Sequence, residues 1–557
     1  MAQHRRMRHS FQTHEVENQP PPLVDVNLFE TDHCLTETIA REGADWHENA
    51  LRAFGARVGS AEVMALAEQA NRLGPELRTH NRFGQRIDSV EFHPAWHALM
   101  TLAMTNQVHA LAWNEPRPGR HVARAALAFL MNQAENGVCC PMAMTFASVP
   151  TLRHTPALAK EWEPRVRQAD YDGRFMPAGD KLSATIGMAM TEKQGGSDVR
   201  ANSTRAVARG AGGPGGEYAL TGHKWFCSAP MSDAFLTLAY ADGGLSCFLV
   251  PRWCPDGSLN RIALQRLKDK LGNRSNASAE IEYQEAFALM VGEEGRGVRT
   301  IIEMVHHTRL DAAVSAAAIM RLALAQAAHH AAHRSAFQKR LADQPLMQAV
   351  LADLAVESEA ATMLVLRMAR AFDEADQDED AQGFARIGTA IAKYWICKRV
   401  PAFVFEALET HGGNGYVEES VMPRLYREAP VNSIWEGCGN VMCLDILRAA
   451  HKEPASLDAY FAELEKARGG DKNLDAGIDS LRKGFKGLIA DEAQARALAG
   501  RMALLLQGAL LIQHGDPAVA QTFCRSRLGA DWGRAHGTLP SGLPLAAIVE
   551  RTTPTVT

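Results

Sequence analysis

Residues 190–199 read MTEKQGGSDV and follow directly on the apolar run Ile186–Ala189. Glycines at a junction between strand and loop let the main chain approach a ligand closely, and Thr191 and Ser197 add hydroxyls that bond carbonyl or phosphate oxygens. A glycine-rich loop on its own is more often a plain turn than a cofactor site. The loop therefore has to be weighed together with two further segments, GHKWFCS at residues 222–228 and IWEG at residues 434–437.

The bulk properties indicate a globular protein of several domains. A chain of 557 residues is too long for one core. The net charge of −5 gives no global indication of nucleic-acid binding. No run of about 18 apolar residues is present and no apolar segment follows the basic start, so we expect neither a membrane span nor a secretory signal.

The ten cysteines indicate a reducing compartment. They form no CxxC pair and mostly lie in apolar contexts, which is typical of buried, reduced thiols. The adjacent Cys139 and Cys140 are expected to be two packed thiols rather than a disulfide. We therefore expect a cytoplasmic protein.

The first half of the chain changes its pattern once. Prolines 20–22 predict an extended arm, and apolar residues return at helical spacing from about 33 to 180, so residues 1–183 are predicted to be an arm and a helical domain. Residues 184–291 are predicted to be an antiparallel β domain with two hairpins, which turn at the glycine clusters 210–216 and 242–244.

The second half is predicted to be helical throughout. Residues 292–452 contain a long Ala-rich helix over 310–333 and are typical of a helical bundle. Residues 453–557 are predicted to form an extra helical C-terminal domain, with one helix over 492–513. The fold class is therefore α+β and multidomain.

Three ordered segments resemble the acyl-CoA dehydrogenase superfamily. Residues 190–199 are similar to its flavin-contacting loop, residues 222–228 to its next flavin-lining strand, and residues 434–437 to its catalytic-base motif. The resemblance implies that fold over residues 33–450, FAD as cofactor, an acyl-CoA or other small-molecule substrate, an electron acceptor and a homotetramer. No amino-acid side chain accepts a hydride, so this chemistry requires a flavin.

The resemblance also assigns the cofactor residues. It places around the flavin ring Met190, Thr191, Gly196, Ser197, Phe226 and Ser228. Arg334, in a segment that also contains Phe337, is similar to the arginine that binds the cofactor pyrophosphate from a neighbouring subunit, because a guanidinium matches phosphate geometry. Gln338 departs from the family, which has glycine there. A further close-approach loop for the adenine half is expected at Gly412, Gly413 and Gly415.

Glu436 is the expected catalytic base. Thioester α protons are weakly acidic, so the pKa of the base must be raised by an apolar site. A carboxylate at a helix N-terminus is the alternative reading of Glu436. Some family members place the base on the segment HHTR at residues 306–309, where Thr308 stands here and cannot serve. Arg309 and Arg427 are the cations expected near the base or the substrate, with local salt bridges as the alternative.

Two histidine pairs raise the question of a metal. His306 and His307 are adjacent, and His329 and His333 stand at helical spacing. With no third ligand nearby, a plain helix surface is favoured and no metal is expected.

One branch of the family, the AidB-type proteins, is similar over longer stretches. These are residues 13–23, 190–199, 266–278 and 430–437, and the C-terminal extension also fits. That resemblance implies double-stranded DNA binding through the tail, a role in the response to DNA alkylation, and weak acyl-CoA dehydrogenase activity.

The residues themselves support DNA binding only modestly. Residues 451–557 carry 13 Lys and Arg against 12 Asp and Glu. The basic side chains of the tail have two equally good interpretations: they contact DNA phosphates, or they are simply exposed on solvated helix faces. These are Arg482, Lys483, Lys486, Arg525, Arg527 and Arg534. The alternative function is a fully competent acyl-CoA dehydrogenase with no DNA role. Trp435, where the dehydrogenases usually have Tyr, is bulky enough to narrow the acyl cavity.

Overall fold

The structure, a computed structural model, describes residues 13–529 and 532–555. The arm runs without regular structure to Asp32, whose carboxylate caps the first helix. The N-terminal helices are α1 His33–Arg41, α2 Glu48–Val58, α3 Ala61–Arg72, α4 Pro94–Thr105, α5 Leu111–Asn114, α6 Arg120–Ala134, α7 Asn136–Leu152 and α8 Pro156–Val166.

A hairpin interrupts this helical layer, where the sequence predicts only helix. Strands β1 Glu76–His80 and β2 Arg86–Glu91 pair antiparallel between α3 and α4. Both strands are short and largely charged, so they carry little of the apolar periodicity by which strands are recognised. The helical prediction is wrong at this point.

The β domain contains both predicted hairpins. Its strands are β3 Ile186–Ala189, β4 Arg205–Ala208, β5 Glu217–Ser228, β6 Ala234–Ala241, β7 Gly244–Pro251, β8 Ile262–Leu267 and β9 Ser278–Val291. The hairpins β4–β5 and β6–β7 are antiparallel and confirm the prediction. Pairings of β5 with β9, β9 with β7 and β6 with β4 close these five strands into a ring, while β3 joins β6 in parallel.

The ring encloses one core and rests on another. Phe235, Phe248 and Tyr283 are buried inside it. On the side of α7 and α8, Trp162 packs with Ile186 of β3 in a separate cluster. This second core fixes the edge of the β domain from which the loop after β3 emerges.

The bundle is built around one long helix. Its elements are α9 Gly297–His333, β10 Ser335–Ala336, β11 Lys339–Arg340, α10 Pro345–Glu374, α11 Glu379–Glu409, α12 Val421–Glu428 and α13 Gly439–Lys452. The middle of α9 is almost all alanine and other small or aliphatic residues, so α6, α7, α10 and α11 pack against it. Two helices, Gly297–His333 and Glu492–His514, are long and apolar enough to span a membrane, but 89% and 72% of their apolar windows are buried inside the protein.

The tail packs on the bundle and shares its core. Its helices are α14 Pro454–Glu465, α15 Lys472–Ala490, α16 Ala495–His514, α17 Pro517–Phe523 and α18 Leu545–Thr552. Helix α14 lies on α11, α16 on α10 and α11, and α18 on α10. Tyr460 and Phe523 belong to the same apolar cluster as the bundle. Removing the tail would therefore expose the core of the bundle.

Candidate active site

A buried ion pair fixes the loop that follows β3. Glu192 and Lys224 are fully buried, with Nζ of Lys224 2.8 Å from Oε1 of Glu192. The N–H of Ser203 donates to Oε2 at 2.6 Å and the Thr204 hydroxyl donates to Oε1 at 2.6 Å. Burial opposes the charge of Glu192, but the Lys224 ammonium and these donors outweigh it and hold its pKa well below the ordinary range. The pair therefore clamps the loop against β5.

Strand β5 reaches the loop through a bulge. Between Lys224 and Cys227, β5 carries one residue more than its partner β9. A bulge re-aims the side chains around it. The N–H of Trp225 donates to the carbonyl of Thr191 at 2.8 Å, and the ring of Phe226 is 46% exposed. The two predicted flavin segments are thus joined by a main-chain hydrogen bond.

The residues on these segments fit a flavin ring. A Cβ atom at Gly196 would lie 3.0 Å from Cγ2 and 3.1 Å from Oγ1 of Thr191, so glycine leaves room for that hydroxyl. The carbonyl of Met190 is held by the side chain of Asn202 at 3.1 Å. Exposed Ser197 on the loop and Ser228 at the end of β5 add hydroxyls. An accessible aromatic ring with hydroxyls on two linked segments suits a planar ligand with ring carbonyls.

Glu436 lies in a tight turn before α13. Its φ of +58° is in the left-handed region, and Gly437 follows with φ of +101°. Two cations hold this turn through its carbonyl groups: Nε of Arg309 donates to the carbonyl of Glu436 at 3.0 Å, and Nζ of Lys393 donates to the carbonyl of Trp435 at 2.8 Å. The strained conformation is therefore maintained by buried charged donors, and α13 begins only at Gly439.

The carboxylate of Glu436 has a single donor among the described residues. The Thr308 hydroxyl donates to Oε2 at 2.8 Å. Burial raises the pKa of Glu436 above its ordinary value, and Thr308, Lys393 and Arg309 offset only part of that rise. Thr308, which the resemblance aligns with an alternative base position, thus donates to the carboxylate of the predicted base.

Arg309 and Arg427 differ in their surroundings. Besides the turn, Arg309 pairs with buried Asp445 at 2.9 Å. Arg427 pairs with exposed Glu418 at 2.6 Å, and no hydrogen bond in the described chain links it to Glu436. The guanidinium of Arg427 is ion-paired with Glu418, which matches the alternative of a local salt bridge. A position of Arg427 near the substrate stays a prediction.

Cys140 lies on α7, and burial raises the pKa of its thiol to about 12. The Lys270 ammonium lowers this pKa, whereas the charge of Glu436 raises it and the Ser228 hydroxyl lowers it. The end of β5 and the turn at Glu436 are therefore both within electrostatic reach of this thiol.

A second group of predicted cofactor residues lies at the far end of α9. Arg334 donates to the carbonyl of Asn18 at 2.5 Å, and the side chain of Asn18 bonds both main-chain groups of Ser335. Phe337, at the tip of the hairpin β10–β11, is 94% exposed with φ of +51°. The N-terminal arm therefore holds the base of this hairpin and leaves its tip in solvent.

The glycine loop Gly412–Gly415 lies beside the same arm. The side chain of Asn414 donates to Gln19 at 3.2 Å, and a Cβ atom at Gly412 or Gly413 would meet nothing within 4 Å. Across residues 13–529 and 532–555, no hydrogen bond joins this group to the loop after β3 or to β5. Arg334 caps α9 25 residues beyond Arg309, about 37 Å along a helix, so the two groups of predicted cofactor residues lie apart in one chain.

The histidines make structural contacts. His329 bonds the carbonyl of Pro21 at 2.8 Å and His306 that of Ala385 at 3.2 Å. In the described ranges no cluster of three His, Cys, Asp or Glu side chains has the arrangement of a metal site.

The predicted DNA-contacting residues fall into two classes. Lys483, Lys486 and Arg534 are exposed. Arg482 pairs with Glu465 at 2.9 Å, and Arg525 bonds the carbonyl of Ser541 at 3.1 Å.

The prediction that Arg527 contacts a DNA phosphate is wrong. It is buried and ion-paired with Asp353. A guanidinium already neutralised inside the core has no freedom to reach a phosphate.

Sequence reasoning missed Lys393 and Asp445, which organise the catalytic turn. Lys393 is the lone charge in the apolar stretch 390–396 of α11, and a lone charge at a buried position has to find a partner. Asp445 gave no such signal, because its partners, Arg309 and Arg386, lie far away in the sequence.

Three family profiles match the chain in order. Residues 18–173 match the N-terminal domain of the adaptive response protein AidB, residues 187–286 the middle domain of acyl-CoA dehydrogenases, and residues 295–451 their C-terminal domain.

Relatives cover almost the whole chain. It is 46% identical over 525 residues to AidB of Escherichia coli (strain K12), covering 94% of this chain and 96% of that protein. It is 32% identical over 541 residues to acyl-CoA dehydrogenase family member 11 of Caenorhabditis elegans, covering 89% and 85%. The crystal structure of Caenorhabditis elegans ACDH-11 in complex with C11-CoA has a TM-score of 0.84 at 28% identity, covering 93% of this chain and 94% of that chain.

Proposed function

Because this chain belongs to the acyl-CoA dehydrogenase family, within its AidB-type branch, we propose that it desaturates a short or branched acyl-CoA weakly and binds double-stranded DNA in the response to DNA alkylation. The family consists of FAD-dependent oxidoreductases, and FAD is the cofactor of this chain. The observation that carries the enzymatic proposal is Glu436, a carboxylate of raised pKa in the family's base motif.

Glu436 would act as the base in this reaction. Its carboxylate takes the α proton of the thioester and becomes a carboxylic acid, while the electron pair of the broken C–H bond passes toward the carbonyl. A base held above the ordinary pKa of glutamate is better matched to so weak an acid. Bound FAD supplies the acceptor for the β hydride.

Thr308 and Arg309 would position that base. The Thr308 hydroxyl fixes the orientation of the carboxylate, and Arg309 with Lys393 fixes the turn. The flavin ring would be held by Met190, Thr191, Gly196, Ser197, Phe226 and Ser228. Arg334, Phe337, Gly412 and Gly413 would meet the rest of the cofactor across a subunit contact, which supports an oligomer, and we propose the homotetramer of the family. Gly415 is buried against the carbonyl of Leu408 and would support this loop from below.

Weak turnover is proposed from the size of Trp435. Its indole packs against the main core beside Glu436, and its Nε1 is buried without a hydrogen-bond partner among the described residues. A side chain of this volume next to the base leaves less room for an acyl chain than the tyrosine usual in the family. Trp435→Tyr should then raise the rate of acyl-CoA oxidation.

DNA binding is proposed for the exposed face of the tail. Lys483 and Lys486 of α15 and Arg534 are exposed cations, and a tetramer would multiply such a modest patch. The ten free cysteines support a cytoplasmic setting.

The enzymatic proposal is tested by stopped-flow flavin reduction. Purified holoprotein is mixed anaerobically with a panel of acyl-CoA thioesters, with and without duplex DNA. Bleaching of the flavin by a short or branched thioester is expected. A flavin that stays oxidised with every thioester would refute a dehydrogenase activity, and rapid bleaching with no measurable DNA affinity would favour the fully competent enzyme.

A further inference from the structure

A groove in the C-terminal region is independent of the site described above. It has a cavity of about 410 Å³ between α11, α15, α16 and the turn that follows α17. We call it the C-terminal groove and define it by Trp395, Arg496, Gly500, Arg501, Leu504 and Leu528. Its volume lies within the roughly 300–1,000 Å³ of small-molecule sites. None of its residues belongs to the flavin segments or to the catalytic turn.

The floor of the groove is apolar and kept open by glycine. Trp395, Leu504 and Leu528 are half-buried and line it. A Cβ atom at Gly500 would lie 3.1 Å from Cζ3 of Trp395, and one at Gly477 would lie 2.6 Å from Cδ2 of Leu505. Any larger side chain at these two positions would fill the space that the glycines leave.

The rim of the groove carries two arginines that have no carboxylate partner among the described residues. Nε of Arg496 donates to the side-chain oxygen of Asn440 at 2.8 Å, and the side chain of Arg501 makes no hydrogen bond or ion pair in the described part of the chain. Arg527 in the same wall is, by contrast, ion-paired with Asp353. Two guanidiniums not neutralised by a described carboxylate, above an apolar floor, are complementary to an anionic head with an apolar tail.

The wall that contains Leu528 has an uncommon backbone. Residues Cys524–Leu528 form a π-helical turn that continues α17. Such turns occur mostly as single widened turns and often at functional sites. Here the turn supplies Arg527 and Leu528 to the lining.

We propose that the C-terminal groove is a second small-molecule site, which binds an amphipathic carboxylate with a straight apolar chain, the class of free fatty acids. The chain lies along Trp395 and the leucines, and the carboxylate meets Arg496 and Arg501. This binding needs no flavin and no thioester.

The test is calorimetric titration of the FAD-loaded protein with decanoate and with decanol. Saturable binding of one decanoate per subunit is expected, with decanol about tenfold weaker or more, because the alcohol lacks the charge that the arginines recognise. No saturable binding of decanoate, or equal affinity for decanol, would overturn the proposal.

Variants locate the binding site. Gly500→Leu fills the groove and the double variant Arg496→Gln/Arg501→Gln removes its charge, so each should weaken decanoate binding about tenfold or more. Gly487→Leu, on the open face of α15, and Arg482→Gln, outside the groove, are the matched controls and should stay within about twofold. Decanoate bound equally by all variants, or displaced by acyl-CoA, would place it in the acyl cavity and refute this site. The surface double variant keeps the test valid should Gly500→Leu fail to fold.

Discussion

Glu192 is a buried carboxylate and Glu436 a half-buried one, and their surroundings are opposite. Glu192 receives an ammonium, hydroxyls and main-chain N–H groups, which hold its pKa well below the ordinary range. Glu436 receives one hydroxyl, while its neighbouring cations are engaged with carbonyl groups and burial raises its pKa. A carboxylate whose lone pairs are all used stabilises a loop, whereas one left with free lone pairs can accept a proton.

The largest effect is expected at Glu436 itself. Glu436→Gln keeps the shape and can still meet the Thr308 hydroxyl, but it cannot take a proton. The rate of flavin reduction by the best acyl-CoA should fall by about 10³-fold, the order of a general base. FAD content, measured by absorbance, serves as the control for intact folding. If the flavin of Glu436→Gln is reduced at a rate within tenfold of the wild-type rate, Glu436 is not the base and its contrast with Glu192 has no catalytic meaning.

Lys224→Met tests the other carboxylate. Removing one partner of a buried pair leaves Glu192 charged and unpaired, so the free energy of unfolding should fall by roughly 3–5 kcal/mol in denaturant titrations. Lys193→Met, an exposed lysine of the same loop, is the control and should change little. A loss under about 1 kcal/mol would mean that the pair is not the clamp described here.

Thr308→Val sharpens the comparison by removing the one donor that the carboxylate of Glu436 has among the described residues. The donor favours the charged form, so its loss should raise the pKa of Glu436 further. Glu436 acts when deprotonated, and flavin reduction falls as the pH drops through its pKa. The acidic limb of the pH–rate profile should therefore move to higher pH by about one unit, with little change on the alkaline plateau. Thr300→Val on the same helix should leave the limb in place, and an unmoved limb in Thr308→Val would contradict the assigned bond.

The smallest effect is expected for the cations of the tail. Here too a charged group that is already paired is compared with charged groups that are not. Lys483→Gln/Lys486→Gln removes exposed charges and should reduce the slope of log affinity against log salt by about two for duplex DNA, if both contact phosphates. Lys466→Gln removes a charge already paired with Glu463 at 2.7 Å and should have less effect. Equal slopes for both variants would show that DNA does not bind at this face.

The residues predicted at the turn of Glu436 and in the flavin segments depend on local sequence more than those of the tail do, for a physical reason. Glu436, Thr191 and Phe226 stand in motifs whose neighbours in sequence are also their neighbours in space. Two of the predicted tail arginines are neutralised by carboxylates that are not their sequence neighbours, Arg482 by Glu465 and Arg527 by Asp353, so a charge count overstates the free cations. Arg427 shows the same limit of sequence reasoning. Glu418 and Glu428 are both close to it in the sequence, and only the structure shows that Glu418 is its partner.

The fold, like the site, could be predicted only where local sequence patterns determine it. Glycine clusters between alternating strands predict the hairpins β4–β5 and β6–β7, because turn and strand signals are local. The short charged hairpin β1–β2 lacks such apolar alternation, so the hydrophobic periodicity of the sequence does not predict it. That the tail shares the core of the bundle depends on the packing of α14 on α11 and of α16 on α10, which no local pattern records.

The central claim is that Glu436 removes the α proton of a thioester beside the flavin site, and exchange of that proton with solvent measures it directly. An acyl-CoA with sulfur in place of the β carbon has no β hydride to transfer, so only proton removal can occur. In D₂O, wild-type holoprotein should exchange the α protons at a rate that rises with pH through the raised pKa of Glu436, and Glu436→Gln should not exchange them. Exchange by Glu436→Gln at the wild-type rate would contradict the account.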